Sequence, residues 1–314
     1  MKKPAIFFVL SILSFAACNR GAEQSQAQGP RVAMVFKTLN NPFFIDMQKG
    51  AAAAAQRLGV SLIVQAAERE VDVEKQMQII ENLIQTKVDA ICVTPSGSRE
   101  IVPAIGKANA AGIPVIIVDT RLDEKAVRDA GVEYATFIGS DNYDGGRAAG
   151  KFLAERMQGR AQVVILEGIP GHETGDARLR GFHDAIKATP GVEVIASQPA
   201  NWERDQGFSV CQNLLQAHPQ ADALFACNDM MALGALEAIA AAGKSDEIQI
   251  VGFDAIADAR QAIAAGTLAA SVAQFPADMG RLAVENAVRI VRGETVPKYV
   301  PVRIELITKE NAAL

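Results

Sequence analysis

The sequence predicts an α/β protein built as two doubly wound parallel-sheet lobes, and three observations carry that expectation. From Arg31 onward, short β-rich runs alternate with longer Ala-rich stretches of helical periodicity, the rhythm of doubly wound sheets. Most of the runs are continuously apolar instead of alternating, as strands covered on both faces are. There are ten of them in 314 residues, of which 49% are hydrophobic, and ten strands are better shared between two packed cores than held in one sheet.

In chain order, the first run is Val32–Phe36. The stretch after it places Phe44, Met47, Ala51, Ala54 and Leu58 on one helical face, so it reads as an amphipathic helix. Ser61–Gln65, Ala90–Thr94, Val115–Asp119 and Thr136–Gly139 complete the first set of expected strands. Gln162–Leu166, Glu193–Ala196, Ala223–Ala226, Gln249–Phe253 and Ala269–Val272 form the second. A helix is expected over Met230–Ala242, with Asp229 as its N-cap.

Composition narrows the function classes. With 36 acidic against 31 basic side chains and a net charge of −5, and without a basic stripe, the chain does not read as a nucleic-acid binder. Charged residues make up 21% and form no long block, which argues against a disordered chain. At the N-terminus, Lys2 and Lys3 precede the apolar stretch Ala5–Ala17, which is too short to span a bilayer as a helix and suits a signal peptide over residues 1–17. Its end, Phe15-Ala16-Ala17-Cys18, resembles a lipobox with Phe in place of the usual Leu, implying lipidation of Cys18. The alternative is ordinary secretory cleavage near Ala27. Either route exports the protein, to the periplasm or the outer face of the cytoplasmic membrane. Cleavage before Cys18 removes Lys2 and Lys3 and takes the charge from −5 to −7. Residues 18–30 are polar and read as a tether. Cys92, Cys211 and Cys227 remain, an odd number that cannot form a complete disulfide framework, although a Cys211–Cys227 bridge stays open. No Cys/His spacing fits a metal site, and no cofactor is expected.

Ligands of open α/β sheets sit beyond the carboxyl ends of the strands. The segments there are Lys37–Phe44, Thr94-Pro95-Ser96, Asp119-Thr120-Arg121, Gly168–Arg178, Gln198–Trp202, Asn228-Asp229, Asp254 and Gln274. They combine Asp, Asn, Arg and Gln with two Phe and the only Trp of the chain. A sugar ring has apolar faces that stack on aromatics and hydroxyls that donate and accept, so this mixture suits a monosaccharide.

The same segments resemble the periplasmic sugar-binding proteins of ABC importers, specifically the ribose- and allose-binding type, over Arg31–Leu314. The resemblance rests on KTLNNPFF (37–44), IGSDN (138–142), SQPANWERDQG (197–207), CNDMMALGAL (227–236), VGFDAI (251–256) and VAQFPADMG (272–280). It implies the type I periplasmic binding protein fold, with two lobes joined by a three-strand hinge. It also implies ligand contacts at Lys37, Asn41, Phe43, Phe44, Asp119, Arg178, Trp202, Asn228, Asp254 and Gln274. The lobes are expected at 31–139 plus 275–300 and at 140–274 plus 301–314. Lys37, Trp202 and the long segment 122–137 are similar to the allose pattern, whereas Phe44 is similar to the ribose pattern. Thr120 stands where the ribose pattern has Arg. An allose-like aldohexose is therefore the first expectation and a ribose-like pentose the second. Delivery to an ABC permease by a monomeric protein follows. The alternative is a receptor that presents a sugar or furanone signal to a chemoreceptor or sensor kinase.

Each of these residues also has a plainer reading. Asn41 before Pro42 can be a helix cap; Phe43 and Phe44 can be core, Phe44 the more inward of the two. Arg178 can form a surface ion pair, although Arg180 fits that role better, and Trp202 can be packing. Asn228 and Asp254 can form turns, and Gln274 can cap backbone. Lys37 can meet hydroxyls or an acidic sugar. Asp119, an isolated carboxylate ending an apolar strand, has the strongest functional reading. Enzyme readings lack support. Gly145–Gly150 has the wrong spacing for a dinucleotide turn, there is no G-x-S-x-G or P-loop, and His172-Glu173 lacks the second His of a zinc helix. Repressors that share the bilobed fold carry an N-terminal helix-turn-helix, where this chain has its apolar leader.

Overall fold

The computed structural model describes residues 29–312; the expected signal peptide, Cys18 and most of the expected tether lie outside them. The first lobe runs β1 (Arg31–Phe36), α1 (Pro42–Leu58), β2 (Ser61–Ala66), α2 (Val73–Gln85), β3 (Ala90–Val93), α3 (Val102–Ala110), β4 (Val115–Val118), α4 (Glu124–Ala130) and β5 (Thr136–Ser140). The second continues through α5 (Asn142–Arg156), β6 (Ala161–Glu167), α6 (Glu173–Ile186), β7 (Val192–Pro199), α7 (Arg204–Ala217) and β8 (Ala223–Ala226). It is completed by α8 (Asp229–Ala241), β9 (Gln249–Asp254), α9 (Ala257–Ala265) and β10 (Ala270–Ala273). Then α10 (Pro276–Val291) and β11 (Tyr299–Val302) return to the first lobe, and β12 (Glu305–Ile307) joins the second.

All ten expected runs are strands. Their order is β11-β5-β4-β3-β1-β2 in one six-stranded sheet and β12-β10-β9-β8-β6-β7 in the other. Every pairing is parallel except that of β12 with β10. In each sheet the strand order therefore reverses between its first and third strands in sequence, at β1/β3 and at β6/β8. That reversal opens a crevice at the carboxyl ends, where doubly wound sheets bind ligands. Burial explains the apolar runs: β3, β4, β8 and β10 are buried along their whole length.

β11 is a strand beyond the ten. Its Tyr-Val-Pro-Val sequence is half-exposed and interrupted by a proline, and Pro301 is tolerated because β11 is an edge strand. The expected boundary between Val300 and Pro301 lies inside it, so the third passage between lobes follows Val302. The other two passages follow Ser140 and Gln274. The Arg303 guanidinium lies 3.6 Å over the Phe275 ring, joining the second passage to the third.

The glycine-rich segment 145–150 lies within α5. A methyl on Gly146 would come within 2.1 Å of the Arg178 carbonyl, and one on Gly181 within 2.0 Å of the Tyr143 carbonyl. Reciprocal glycines thus let the backbones of α5 and α6 touch, and that contact sets the height of Arg178. The cysteines Cys92, Cys211 and Cys227 are buried free thiols, each pushed up to about 12 by burial. No Cys211–Cys227 bridge forms.

Candidate ligand-binding site

Between the two sheets, twelve side chains line a narrow cavity. All ten residues expected from the sequence are among them, joined by Glu70 and Thr174.

The first wall starts where β1 ends. The Lys37 N–H donates to Thr94 Oγ1 at 3.0 Å, tying the end of β1 to that of β3. Its ammonium lies 3.2 Å from Asp119 Oδ2, 3.8 Å from Glu70 Oε2 and 5.5 Å from the centre of the Phe44 ring. Asn41 caps α1 as its plainer reading predicts: Oδ1 accepts from the Phe43 N–H at 3.0 Å. That bond turns Nδ2 toward Glu70, to whose Oε1 it donates at 3.1 Å. Phe43 and Phe44 meet edge to face, with centroids 5.2 Å apart. Both are buried and both line the cavity. Asp119 follows β4 and also accepts from Thr120 Oγ1 at 2.9 Å.

The opposite wall is arranged around Arg178, which is 3% exposed. Its Nε donates to Asn142 Oδ1 at 2.9 Å and its Nη1 to the Cys227 carbonyl at 2.6 Å, with Asp254 Oδ1 3.7 Å away. The guanidinium stacks 3.7 Å over Phe253 and lies 5.6 Å from the Trp202 ring, whereas Arg180 is exposed and pairs with Glu173. Asn228, not Asp229, is the N-cap of α8: its Oδ1 accepts from the Met231 N–H at 2.9 Å, and its Nδ2 donates to the Trp202 carbonyl at 3.1 Å. Asp229 turns inward, accepting from Ser271 Oγ at 2.7 Å and from the Ile256 N–H at 2.9 Å. The helix begins one residue earlier than expected, which moves the cap to Asn228. Gln274 Nε2 donates to Asp254 Oδ1 at 2.8 Å. Buried Gln274 Oε1 and Trp202 Nε1 have no partner among the described residues.

Two cations, Lys37 and Arg178, thus share the cavity with three carboxylates, Glu70, Asp119 and Asp254. Each carboxylate spends one oxygen on the protein and keeps the other without a hydrogen-bond donor among the described residues. Burial pushes Glu70 up to about 7, opposed by Lys37 and Asn41. Burial also raises Asp254, with Arg178 and Gln274 opposing, and raises Asp229 behind it. Unspent acceptors, fixed donors and aromatic faces in one small space suit a compact ring rich in hydroxyls.

Direct contacts close the two walls on each other. His172 Nε2 meets the Ser96 carbonyl at 2.5 Å, which fixes the proton on Nε2; the Glu173 N–H donates to Ser98 Oγ at 3.1 Å; and Thr174 Oγ1 meets Thr120 Oγ1 at 3.1 Å.

Glu70 and Thr174 are what sequence reasoning missed. Glu70 lies four residues beyond the end of β2, and the carboxyl-end rule that singles out Asp119 after β4 extends to it. Thr174 lies inside the segment 168–178 but has no chemistry that sets it apart there.

Residues 32–295 match the family model described as periplasmic binding protein domain. The ribose import binding protein of Escherichia coli (strain K12) is 39% identical over 300 residues, 96% of this chain and 98% of the relative. The D-allose-binding periplasmic protein of the same organism is 34% identical over 284 residues, 88% and 91% of the two chains. Among solved structures, an ABC transporter periplasmic solute binding protein from Actinobacillus succinogenes 130z with bound D-allose superposes with a TM-score of 0.85 at 38% identity. It covers 90% of this chain and 99% of its own.

Proposed function

The chain belongs to the periplasmic binding protein domain family, and on that premise we propose that it captures one monosaccharide between its lobes and hands it to an ABC permease. An allose-like aldohexose is the favoured ligand and a ribose-like pentose the next. The observation that carries the reading is the set of three buried carboxylates, each with one unspent oxygen, facing Lys37, Arg178 and the aromatic rings of Phe43, Phe44 and Trp202. Sugar hydroxyls donate to the carboxylates and accept from the cations and amides, while the rings cover the C–H faces.

The charge balance argues for a neutral ligand. Lys37 is already paired with Asp119 and faces Glu70, so a sugar acid would bring a further anion to a cavity that has more carboxylates than cations. D-Allose in the similar structure and in a relative's name supports the hexose, as do Lys37 and Trp202. The ribose-binding relatives support the pentose as the second choice.

A ligand that touches both walls favours the closed form through its differential affinity, and closure prepares the pair of lobes for a membrane partner. The family's role is solute binding in transport, so no reaction is assigned to the cavity. Export through the apolar leader and anchoring at Cys18 belong to the same reading. Presentation to a chemoreceptor or sensor kinase is the alternative downstream step, and uptake measured in vesicles carrying the permease separates the two.

Titration of ligand-stripped protein with D-allose, D-ribose and other aldoses, ketoses and polyols should give saturable changes in Trp202 fluorescence and a raised melting temperature for one or a few of them. Silence across the whole panel in both measurements rejects the monosaccharide reading.

A further inference from the structure

Glu70 is the cavity residue whose burial the fold does not explain. It is 5% exposed, and a carboxylate taken from water is costly unless its oxygens are met. Only half of it is met. Oε1 accepts from Asn41 Nδ2 at 3.1 Å, while Oε2 lies 3.8 Å from the Lys37 ammonium, beyond hydrogen-bond reach, with no other donor among the described residues. Lys37 sits closer to Asp119, at 3.2 Å, so it is not dedicated to Glu70. Asn41 is committed on its other side to capping α1. Its orientation, and through it that of Glu70, is therefore fixed by the helix and not by what occupies the cavity.

We propose that Glu70 is a ligand-contacting, specificity-setting residue whose free oxygen accepts a hydrogen bond from one hydroxyl of the bound monosaccharide. This rests on the monosaccharide reading above and adds to it a third acceptor beside Asp119 and Asp254. A site built to take a hydroxyl rejects the analogue that lacks it far more strongly than an apolar pocket rejects an extra methylene. A sugar whose hydroxyl points elsewhere leaves the Glu70 carboxylate buried and unmet, so Glu70 discriminates between epimers.

The same contact couples affinity to pH. The carboxyl is pushed up to about 7 by burial; the ammonium of Lys37 at the end of β1 and the amide of Asn41 on α1 oppose the rise, and Asp119 after β4 and Asp254 at the end of β9 add to it. A hydroxyl that donates to Oε2 favours the ionised form, so binding releases a proton and weakens as pH falls through about 7.

The test is calorimetric titration of the wild-type protein and Glu70→Gln with D-allose, D-ribose, D-glucose and D-galactose at about pH 6 and about pH 8, with thermal melts to establish folding. The expected result is roughly a tenfold or greater loss of affinity for the best sugar in Glu70→Gln, a compressed ranking of epimers and a flattened pH response. Should Glu70→Gln melt far below the wild type, Glu70→Asp replaces it; this variant keeps the charge but withdraws the oxygen by one methylene, and it must show the same loss and reordering. A folded Glu70→Gln with wild-type affinity, ranking and pH response overturns the proposal and leaves the monosaccharide reading standing. A wild-type protein that binds none of the sugars overturns both.

Discussion

Single residues carry the cost of this cavity, and the backbone shows it. Asp119, Trp202 and Asp254 have φ values of 68°, 69° and 108°, a region unfavourable for residues with a side chain and a common reservoir of strain at functional positions. Such strain has no signature in residue type, so the sequence identified Asp119 by its isolation at a strand end and not by its conformation. The cap of α8 is a similar case: Asn228 and Asp229 both suit the position by type, and only the start of the helix decides between them. Glu70 shows how the cost appears in stability. Its carboxyl is at about 7 in the folded chain against an ordinary 4.5, so the folded state holds its proton more tightly. Its contribution is fully present below about 4.5 and is lost as pH rises through about 7. Above that range the buried charge costs on the order of 3 kcal/mol. Ligand-free Glu70→Gln should therefore melt higher than the wild type at about pH 8, with the difference shrinking toward about pH 4.5. A variant that melts lower at alkaline pH and equally at acid pH reverses the assigned sign.

Elements were legible where a periodicity is enforced by burial on both sides. β1, β3, β4, β6, β8 and β9 are buried along most of their length, so their sequences are apolar wherever they lie in the core. β11 escapes the rule because an edge strand has one neighbour and little burial. Close approach between elements was legible only as an anomaly: the glycines of 145–150 have no phosphate-binding spacing, and the reason for them is the contact of α5 with α6. Gly168, just beyond β6, works in the same way on the site. A methyl there would lie 1.9 Å from Trp202 Cζ2, overlapping the indole ring itself, so the ring has to shift to admit it. Gly168→Ala should push the indole out of the wall, shift Trp202 emission to longer wavelength and weaken sugar binding by about 1–3 kcal/mol. Both sheets should keep their far-ultraviolet dichroism. Unchanged emission with unchanged affinity means that Trp202 is not held by that glycine.

On the proposed function the whole molecule is a clamp, and the contacts between its two walls are the part of the structure that local sequence patterns reveal least. His172 and Ser96 are 76 residues apart, on elements whose own periodicities say nothing about each other. The resemblance supplied the two lobes and the three passages, but not the bonds that link the first turn of α6 to the loops after β3 and β4. Among the side chains that make these bonds, His172 is the one that titrates: Nε2–H donates to Ser96 in either state, and a proton taken up would go to the buried Nδ1, which has no partner among the described residues. Buried in the closed form, the ring falls to about 4, because desolvation and the nearby Lys37 ammonium disfavour its cation, while the Ser96 carbonyl, Asp119 and Glu100 pull the other way. In an open form, where water reaches it, its ordinary value is about 6.5. Between those two values the open form binds more protons, so closure weakens as pH falls from about 6.5 to about 4. Glu70 titrates in the same direction near neutrality, so the effect of His172 is best isolated in the Glu70→Gln background. There, His172→Ala should lower affinity about fivefold, the loss of roughly 1 kcal/mol of closure. The loss should appear as faster ligand release at an unchanged association rate, because the latch acts after encounter. His172→Gln places an amide N–H where Nε2–H was and does not titrate. It should restore most of the affinity at pH 7 and remove the decline below about 6.5. Stopped-flow release rates for the three proteins across that range decide the matter. A His172→Gln protein that still loses affinity as steeply as its His172 parent shows that the acid response of closure arises elsewhere.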